Sequence, residues 1–150
     1  PTPCMLPQQP LHPAVLPLAS STRGLVRLTN PAEMTVDGVD VMLIEGEAVN
    51  GHNSTVEGAR MLLRAQHSAP TCPDAVDGFP FEDRDPLVMD TATPHVMVIG
   101  NQNTPSWERV TLEDGEETLV IGVPPFSSIP CIGLLDMDTM SVSFKHFSAE

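Results

Sequence analysis

The stretch PHVMVIGNQNTPSW, residues 94–107, joins a run of apolar side chains to a run of polar ones. Its nearly continuous apolar part, HVMVIG, is typical of a strand that is covered on both faces. The chain leaves this strand through Gly100 and enters an amide-rich loop at 101–103. Because α/β enzymes place reactive groups at the ends of buried strands, this junction is the first candidate for a functional site.

Turn and capping signals predict the elements that precede this strand. The Asp-Gly pair at 37–38 separates two apolar-rich runs within MTVDGVDVMLIEG, residues 34–46. It supplies the positive φ angles of a two-residue hairpin turn. Ser54 and Glu57 form a capping box that opens a helix. Apolar residues then recur at helical spacing as far as His67, where the helix is expected to end because prolines follow.

The remaining segments complete the predicted fold class, which is mixed α/β and β-dominated with one clear helix. GLVRLT, residues 24–29, predicts a short strand closed by an Asn-Pro turn. Residues 68–94 have no period and predict a long ordered loop, anchored by Phe79, Phe81 and Leu87. The strand pairs expected in the last third are 109–112 with 118–123 and 131–136 with 141–147.

Composition and charge limit the classes of function. The chain has 150 residues and 41% hydrophobic content, enough for one domain with a real core. Twenty acidic side chains against seven basic ones give a formal net charge of −13. That charge repels phosphate backbones and argues against direct nucleic-acid binding. The sequence has no apolar run of about 18 residues, so no membrane span is expected.

Three cysteines lie far apart in the sequence, at Cys4, Cys72 and Cys131. None belongs to a Cys-x-x-Cys pair, so a structural zinc or iron–sulfur site has no local support. An odd count without a signal peptide predicts reduced thiols in the cytosol or nucleus. The chain opens on proline rather than methionine, so a piece of a longer protein is expected.

A proline-rich segment opens the chain. Within it, LPQQPLHP, residues 6–13, carries proline at three positions, which removes backbone donors and favours an extended path. Such a segment is a disordered tail, a ligand for a proline-binding module or a connector with a fixed course. The ligand interpretation is weakened because no basic residue flanks the motif and no charged residue precedes Arg23.

Five histidines and many aspartates suggest a metal site in this sequence. The five histidines are His12, His52, His67, His95 and His146. Each has a structural interpretation as a connector, loop, helix-end or strand residue. His67 is the candidate for a residual site residue, although its position at a helix end also favours a cation there. The sequence contains no Gly-rich phosphate loop, nucleophile elbow or H-E-x-x-H motif.

Taken together, these motifs resemble the C-terminal part of the small (B) subunits of DNA polymerase delta, in the calcineurin-like phosphoesterase superfamily. The resemblance spans nearly all of the chain and is most specific in LPQQPLHP and PHVMVIGNQNTPSW. The other matching motifs are LTNP at 28–31, VDGV at 36–39, SAPTCPD at 68–74, FPFEDRDP at 79–86 and VPPFS at 123–127.

The resemblance implies part of a degenerate phosphodiesterase-like β-sandwich. In active relatives the equivalent strand ends in a G-H-x-H motif that binds two metal ions, whereas this chain has Gly100, Asn101, Gln102 and Asn103. Carboxamides are weak ligands for transition metals, so we expect a vestigial metal site with no catalytic residue, metal or cofactor. The implied segments are a Pro-rich connector at 1–22, strands, hairpin and helix at 23–67, an ordered loop at 68–94 and C-terminal strands at 95–150.

The resemblance also implies a non-catalytic scaffold subunit in the nucleus. Its partners would be the C-terminal domain of the DNA polymerase delta catalytic subunit and a further accessory subunit, while other subunits contact DNA. Two other functions stay open from the residues alone. One is a metal-dependent phosphodiesterase that uses His67, His95 and aspartates supplied by another part of the protein. The other is a free-standing β-rich binding protein.

Overall fold

A computed structural model describes residues 5–15, 22–79, 81–89 and 93–148. Its strands and helix are β1 (Ala32–Val36), β2 (Val39–Ile44), α1 (Thr55–Ala65), β3 (Val96–Ile99), β4 (Ser106–Thr111), β5 (Glu117–Gly122), β6 (Cys131–Asp136) and β7 (Ser141–His146). Short 3-10 turns occur at Pro13–Val15 and Glu47–Val49. The predicted mixed α/β, strand-dominated class is confirmed. Within the described ranges, no helix combines the length and apolar character that crossing a membrane requires.

Five strands form one sheet in the order β1-β2-β3-β5-β4. The central strands β2, β3 and β5 are parallel, whereas the edge strands β1 and β4 pair antiparallel with their neighbours. Parallel neighbouring strands need a long crossover connection. The connection from β2 to β3 is of this kind and contains α1. β6 and β7 pair separately as a two-stranded antiparallel sheet.

Both faces of the central strand β3 are covered, as its apolar sequence HVMVIG predicts. Val96, Met97 and Ile99 each have 0% of their surface exposed. On one face, Met97 belongs to the same apolar cluster as Leu62 of α1. On the other face, Val96 belongs to a cluster that Phe144 of the β6–β7 pair packs against. Alternation along β3 therefore places its side chains in two cores.

The local signals for the first hairpin and the helix are confirmed. Asp37 and Gly38 both have positive φ angles, of 48° and 81°, in the turn between β1 and β2. The Ser54 hydroxyl accepts the N–H of Glu57 at 3.2 Å, which caps the start of α1. Gln66, with φ of 48°, ends the helix in the left-handed conformation that usually belongs to glycine. The two later strand pairs are also present, as β4–β5 and β6–β7.

Part of the Pro-rich connector follows a fixed course. Leu6 is 4% exposed, donates its N–H to the carbonyl of Asp77 at 2.9 Å and accepts the N–H of Phe79 at 2.8 Å. Gln8 exchanges two backbone hydrogen bonds with Asn30. These contacts hold Leu6 and Gln8 against other segments, and the connector interpretation stays a prediction. Residues 1–4, which include Cys4, and 16–21 of the predicted connector lie outside the described residues.

The prediction of a strand at residues 24–29 is wrong. Leu25 and Val26 are 49% and 76% exposed. No strand pairs with this segment in the described ranges. A run of β-forming residues does not make a strand without a partner for its backbone groups, whatever its propensity.

The long segment at 68–94 is ordered where it is described, but only one of its three predicted anchors is correct. Leu87 is 4% exposed and belongs to the helix-side core. Phe79 and Phe81 are instead 57% and 51% exposed. The aliphatic residues Ala69, Val76 and Met89 take their place in the core.

Candidate functional site

The loop that follows β3 lies beside the first turn of α1, at one end of the sheet. The two segments line an open, polar cleft of about 390 Å³. The loop contributes Asn101, Gln102 and Asn103, and the helix start contributes His52 and Thr55. The polar loop predicted after the buried strand therefore faces a real depression, with amides and hydroxyls as its main lining groups.

Backbone contacts fix the course of this loop. The N–H of Gly100 donates to the last carbonyl of β2 at 2.9 Å, and that of Gln102 donates to Val123 at 3.1 Å. Asn101 has a φ of 55°, in the left-handed region that short polar residues tolerate. Its side-chain Nδ2 donates to the carbonyl of Glu45 at 3.1 Å. Asn101 thus has a conformational role that accounts for an amide at this position.

Gln102 is a structural residue rather than an exposed ligand. It is 8% exposed, and both ends of its amide are paired within the protein. Its Oε1 accepts the hydroxyl proton of Thr55 at 2.7 Å, and its Nε2 donates to the carbonyl of Gly100 at 2.8 Å. The side chain therefore ties the loop to the start of α1, because a buried amide left unpaired would destabilise the fold.

Gly46 supports the loop from the end of β2. Its φ of 101° lies in the region that favours glycine. A Cβ at this position would collide with the carbonyl oxygen of Gly100 and lie 2.8 Å from Nε2 of Gln102. Sequence reasoning missed Gly46 and Thr55 as parts of this site. The only local signal was a glycine at the end of a predicted strand.

Asn103, like Asn101, is exposed and lines the cleft. Beside the loop, burial raises the pKa of Glu45 above its ordinary value, while a hydrogen bond from the N–H of Glu47 opposes that rise. Residues 5–15, 22–79, 81–89 and 93–148 contain no group of three or more His, Cys, Asp or Glu arranged to hold a metal ion. The cleft presents hydrogen-bonding groups to any molecule that enters it.

His67 lies at the opposite end of α1 from the cleft. The eleven residues of α1, which begin at Thr55, span about 16 Å at an α-helical rise of 1.5 Å per residue, and His67 lies just beyond their end. Its Nδ1 accepts the N–H of Ala69 at 3.0 Å, so the neutral ring carries its proton on Nε2 and donates to Asp85 at 3.1 Å. The N–H of Leu87, and to a smaller extent His67, lower the pKa of Asp85 below its ordinary value. His67 therefore connects the helix end to the long loop and is not brought to the 100–103 positions.

Two of the other histidines, His95 and His12, also accept hydrogen bonds. His95 precedes β3, at the end of that strand remote from the cleft, and its Nδ1 accepts the N–H of Asp40 at 2.9 Å. His12 accepts the N–H of Ala14 at 3.2 Å through Nδ1, and His146 ends β7. Of the five histidines, only His52 lines the cleft.

Most of these features lie in a region that known proteins share. The family model for the B subunit of DNA polymerases alpha and epsilon matches residues 1–108. That range includes the proline-rich opening, the β1–β2 hairpin, α1, β3 and the whole 100–103 loop.

Three curated relatives match nearly the whole chain. The probable DNA polymerase delta small subunit of Caenorhabditis elegans is 36% identical, over 97% of this chain and 34% of its own length. DNA polymerase delta subunit 2 of Drosophila melanogaster is 30% identical, over 97% and 35% respectively. The DNA polymerase delta small subunit of Saccharomyces cerevisiae is 31% identical, over 90% and 35%. The chain thus spans about a third of the length of these relatives.

Proposed function

The chain belongs to the family of DNA polymerase alpha/epsilon B subunits, and on that premise we propose that it is part of a non-catalytic accessory subunit of DNA polymerase delta. The matched relatives carry the names of polymerase delta small subunits. Such a subunit acts in DNA replication, so its proposed location is the nucleus.

One observation carries the non-catalytic part of the proposal: the buried amide of Gln102 is paired within the protein at both its oxygen and its nitrogen. Gln102 accepts a hydrogen bond from the hydroxyl of Thr55 and donates one to the carbonyl of Gly100. Asn101 donates one through Nδ2 to the carbonyl of Glu45. A ligand residue must instead leave its donor atom directed at the metal, and amides are weak ligands for transition metals. These contacts support a loop retained for structure at the position of a former metal site.

The scaffold part of the proposal rests on charge and rigidity. A formal net charge of −13 disfavours direct contact with DNA, so we assign DNA contact to other subunits. The covered sheet provides a rigid body on which protein partners can assemble. The proposed partners are the C-terminal domain of the catalytic subunit and a further accessory subunit.

A nuclease assay on the full-length protein that contains this chain tests the loss of activity. We expect no cleavage of labelled single-stranded DNA when manganese is added, and no change with Asn103→Ala. Asn103 is the suitable substitution because it is exposed at the cleft. Manganese-dependent cleavage that Asn103→Ala abolishes would establish a functioning phosphodiesterase and overturn the proposal.

Purification of the tagged full-length protein from cells tests the assembly. The catalytic subunit of DNA polymerase delta should be recovered in comparable molar amount and remain bound through gel filtration. A monomer recovered without any polymerase subunit would favour the free-standing binding protein instead.

A further inference from the structure

A second depression lies at the opposite end of α1 from the cleft. Phe79 and Phe81 line this groove of about 540 Å³ together with Pro70, Pro73 and Leu87. The two phenylalanines are 57% and 51% exposed, although aromatic rings of this size are usually buried. We call this depression the aromatic groove. Exposed apolar side chains gathered in one depression mark a binding surface more often than scattered ones do.

The wall of the aromatic groove is held in place by contacts that do not involve the phenylalanine rings. The N–H of Phe79 donates to the carbonyl of Leu6 at 2.8 Å. Asp85 receives a hydrogen bond from His67, and the N–H of Ser68 donates to Leu87 at 2.8 Å. The groove is therefore formed before a partner binds, which lowers the ordering cost of binding.

The rim of the aromatic groove is strongly acidic. Residues 74–85 contain five carboxylates and one guanidinium, a net charge of −4. The five acidic residues are exposed: Asp74, Asp77, Glu82, Asp83 and Asp85. Three of them act on the Cys72 thiol that lines the groove: burial is the main cause that raises its pKa, and Asp85, Asp77 and Asp74 raise it further. These carboxylates are close enough to act on a molecule in the groove.

This charge selects among the molecules that could cover an apolar groove. Nucleic acids and anionic membranes are repelled. A second copy of the chain is disfavoured as well, because it carries the same net charge of −13. A basic protein segment is attracted, and its apolar side chains gain by leaving water against the two phenylalanine rings.

We propose that the aromatic groove binds a basic segment of a partner protein, which places an aromatic or aliphatic side chain against Phe79 and Phe81. Apolar contact supplies most of the affinity, and the acidic rim selects lysine or arginine beside that side chain. The inference concerns a surface remote from the cleft and does not depend on the assignment to polymerase delta.

Selection from a library of short random peptides on the full-length protein tests the proposal without any polymerase subunit. Enriched peptides should carry a net positive charge and at least one large apolar residue. The best synthetic peptide should lose affinity about tenfold or more with the double variant Phe79→Ser/Phe81→Ser, as for central interface aromatics. Its affinity should also fall with added salt and with Asp74→Lys/Asp77→Lys, the two carboxylates that act on Cys72 together with Asp85.

Phe126→Ser is the matched control, because Phe126 is also 57% exposed but lies outside the aromatic groove. The Phe126→Ser variant should bind the best synthetic peptide with the same affinity as the unsubstituted protein. Thermal unfolding of each variant establishes that the protein tested is folded. The proposal is overturned if no peptide is enriched, if the enriched peptides are neutral or acidic, or if they bind the double variant equally well.

Discussion

The two ends of α1 carry surfaces of opposite character. At its start, the cleft is polar, and the amides of Asn101 and Gln102 are bonded to other parts of the protein. At its end, the aromatic groove leaves Phe79 and Phe81 largely exposed. The amides of the cleft loop have internal partners, whereas the two phenylalanine rings of the groove are largely in water. The comparison therefore separates residues needed for folding from residues that we expect to be needed for binding.

The largest expected effect is at Gly46, beneath the cleft. Gly46→Ala places a Cβ against the carbonyl of Gly100 and strains a φ of 101°, so we expect about 3 kcal/mol or more of lost stability. Urea unfolding measures the change. Gly115→Ala is the control, because Gly115 has a similar φ of 91° but open space around it. It should cost only about 1 kcal/mol. Equal costs at the two glycines would mean that the close approach to Gly100 is unimportant.

A buried residue and an exposed residue of the same loop give the next effect. Leu87→Ala removes a side chain that is 4% exposed, so we expect a loss of about 2–4 kcal/mol. Phe79→Ser should change the free energy of unfolding by less than about 1 kcal/mol, because that ring is mostly in water. Urea unfolding of both variants at one pH tests the difference. A large loss for Phe79→Ser would identify it as a core residue and contradict the comparison.

Gln102 tests the cleft side of the comparison. Gln102→Met keeps the volume but removes both side-chain hydrogen bonds, leaving the hydroxyl of Thr55 and the carbonyl of Gly100 without this partner. The expected cost is about 1–3 kcal/mol, measured by thermal unfolding. Asn103→Ala serves as the exposed neighbour and should stay within about 0.5 kcal/mol of the unsubstituted protein. Similar costs for both would mean that Gln102 has no special role in holding the loop.

A smaller effect is expected at Asp85, on the aromatic groove. The pKa of Asp85 is lowered in the folded protein. Its contribution to stability is therefore fully present at pH values above the ordinary pKa of an aspartate carboxyl. That contribution is lost as pH falls through the lowered value. Its side chain is 53% exposed, so the contribution should be below about 1 kcal/mol. Asp85→Asn should lower stability at pH 7, and the difference from the unsubstituted protein should shrink as pH falls through the lowered pKa of Asp85. A constant difference across this range would exclude the carboxylate charge as its source.

The smallest effect should be at Glu45 and have the opposite sign. Burial raises its pKa, so the charged form is disfavoured in the folded state and stability falls as pH rises through that range. Glu45→Gln should therefore be slightly stabilising at pH 7 and close to neutral in acid. Thermal unfolding as a function of pH measures this, and a destabilised variant at pH 7 would contradict it.

The sequence predicted those parts of the fold that local chemistry decides. The Asp-Gly turn at 37–38, the cap at Ser54 and the apolar run of β3 each carry their signal within a few residues. The features that the sequence did not predict depend on which segments of the chain pack against each other in the folded protein. Phe79 and Phe81 are as apolar as any core residue, and a loop without a period does not indicate which of its side chains face solvent.

The same reason limits prediction of the candidate site. The positions 100–103 were identified because the polar loop follows a buried strand directly. Their support comes from Gly46 and Thr55, which are about fifty residues away in sequence and meet the loop only through the β2–α1–β3 crossover. GLVRLT at 24–29 illustrates the converse, since its β propensity is clear but no strand lies beside it in the described ranges.

The sheet order has a consequence for how this chain can be divided. The family match ends at residue 108, inside β4, yet β4 joins the sheet only through β5 at Glu117–Gly122. β5 is also the parallel neighbour of β3. A truncation at 108 would remove β5. One hydrogen-bonding side of β3 would then be open to water, and the remaining part of β4 would have no neighbouring strand. The boundary drawn by evolutionary similarity is thus not the boundary of a cooperative unit, and domain dissection should retain residues through at least 122.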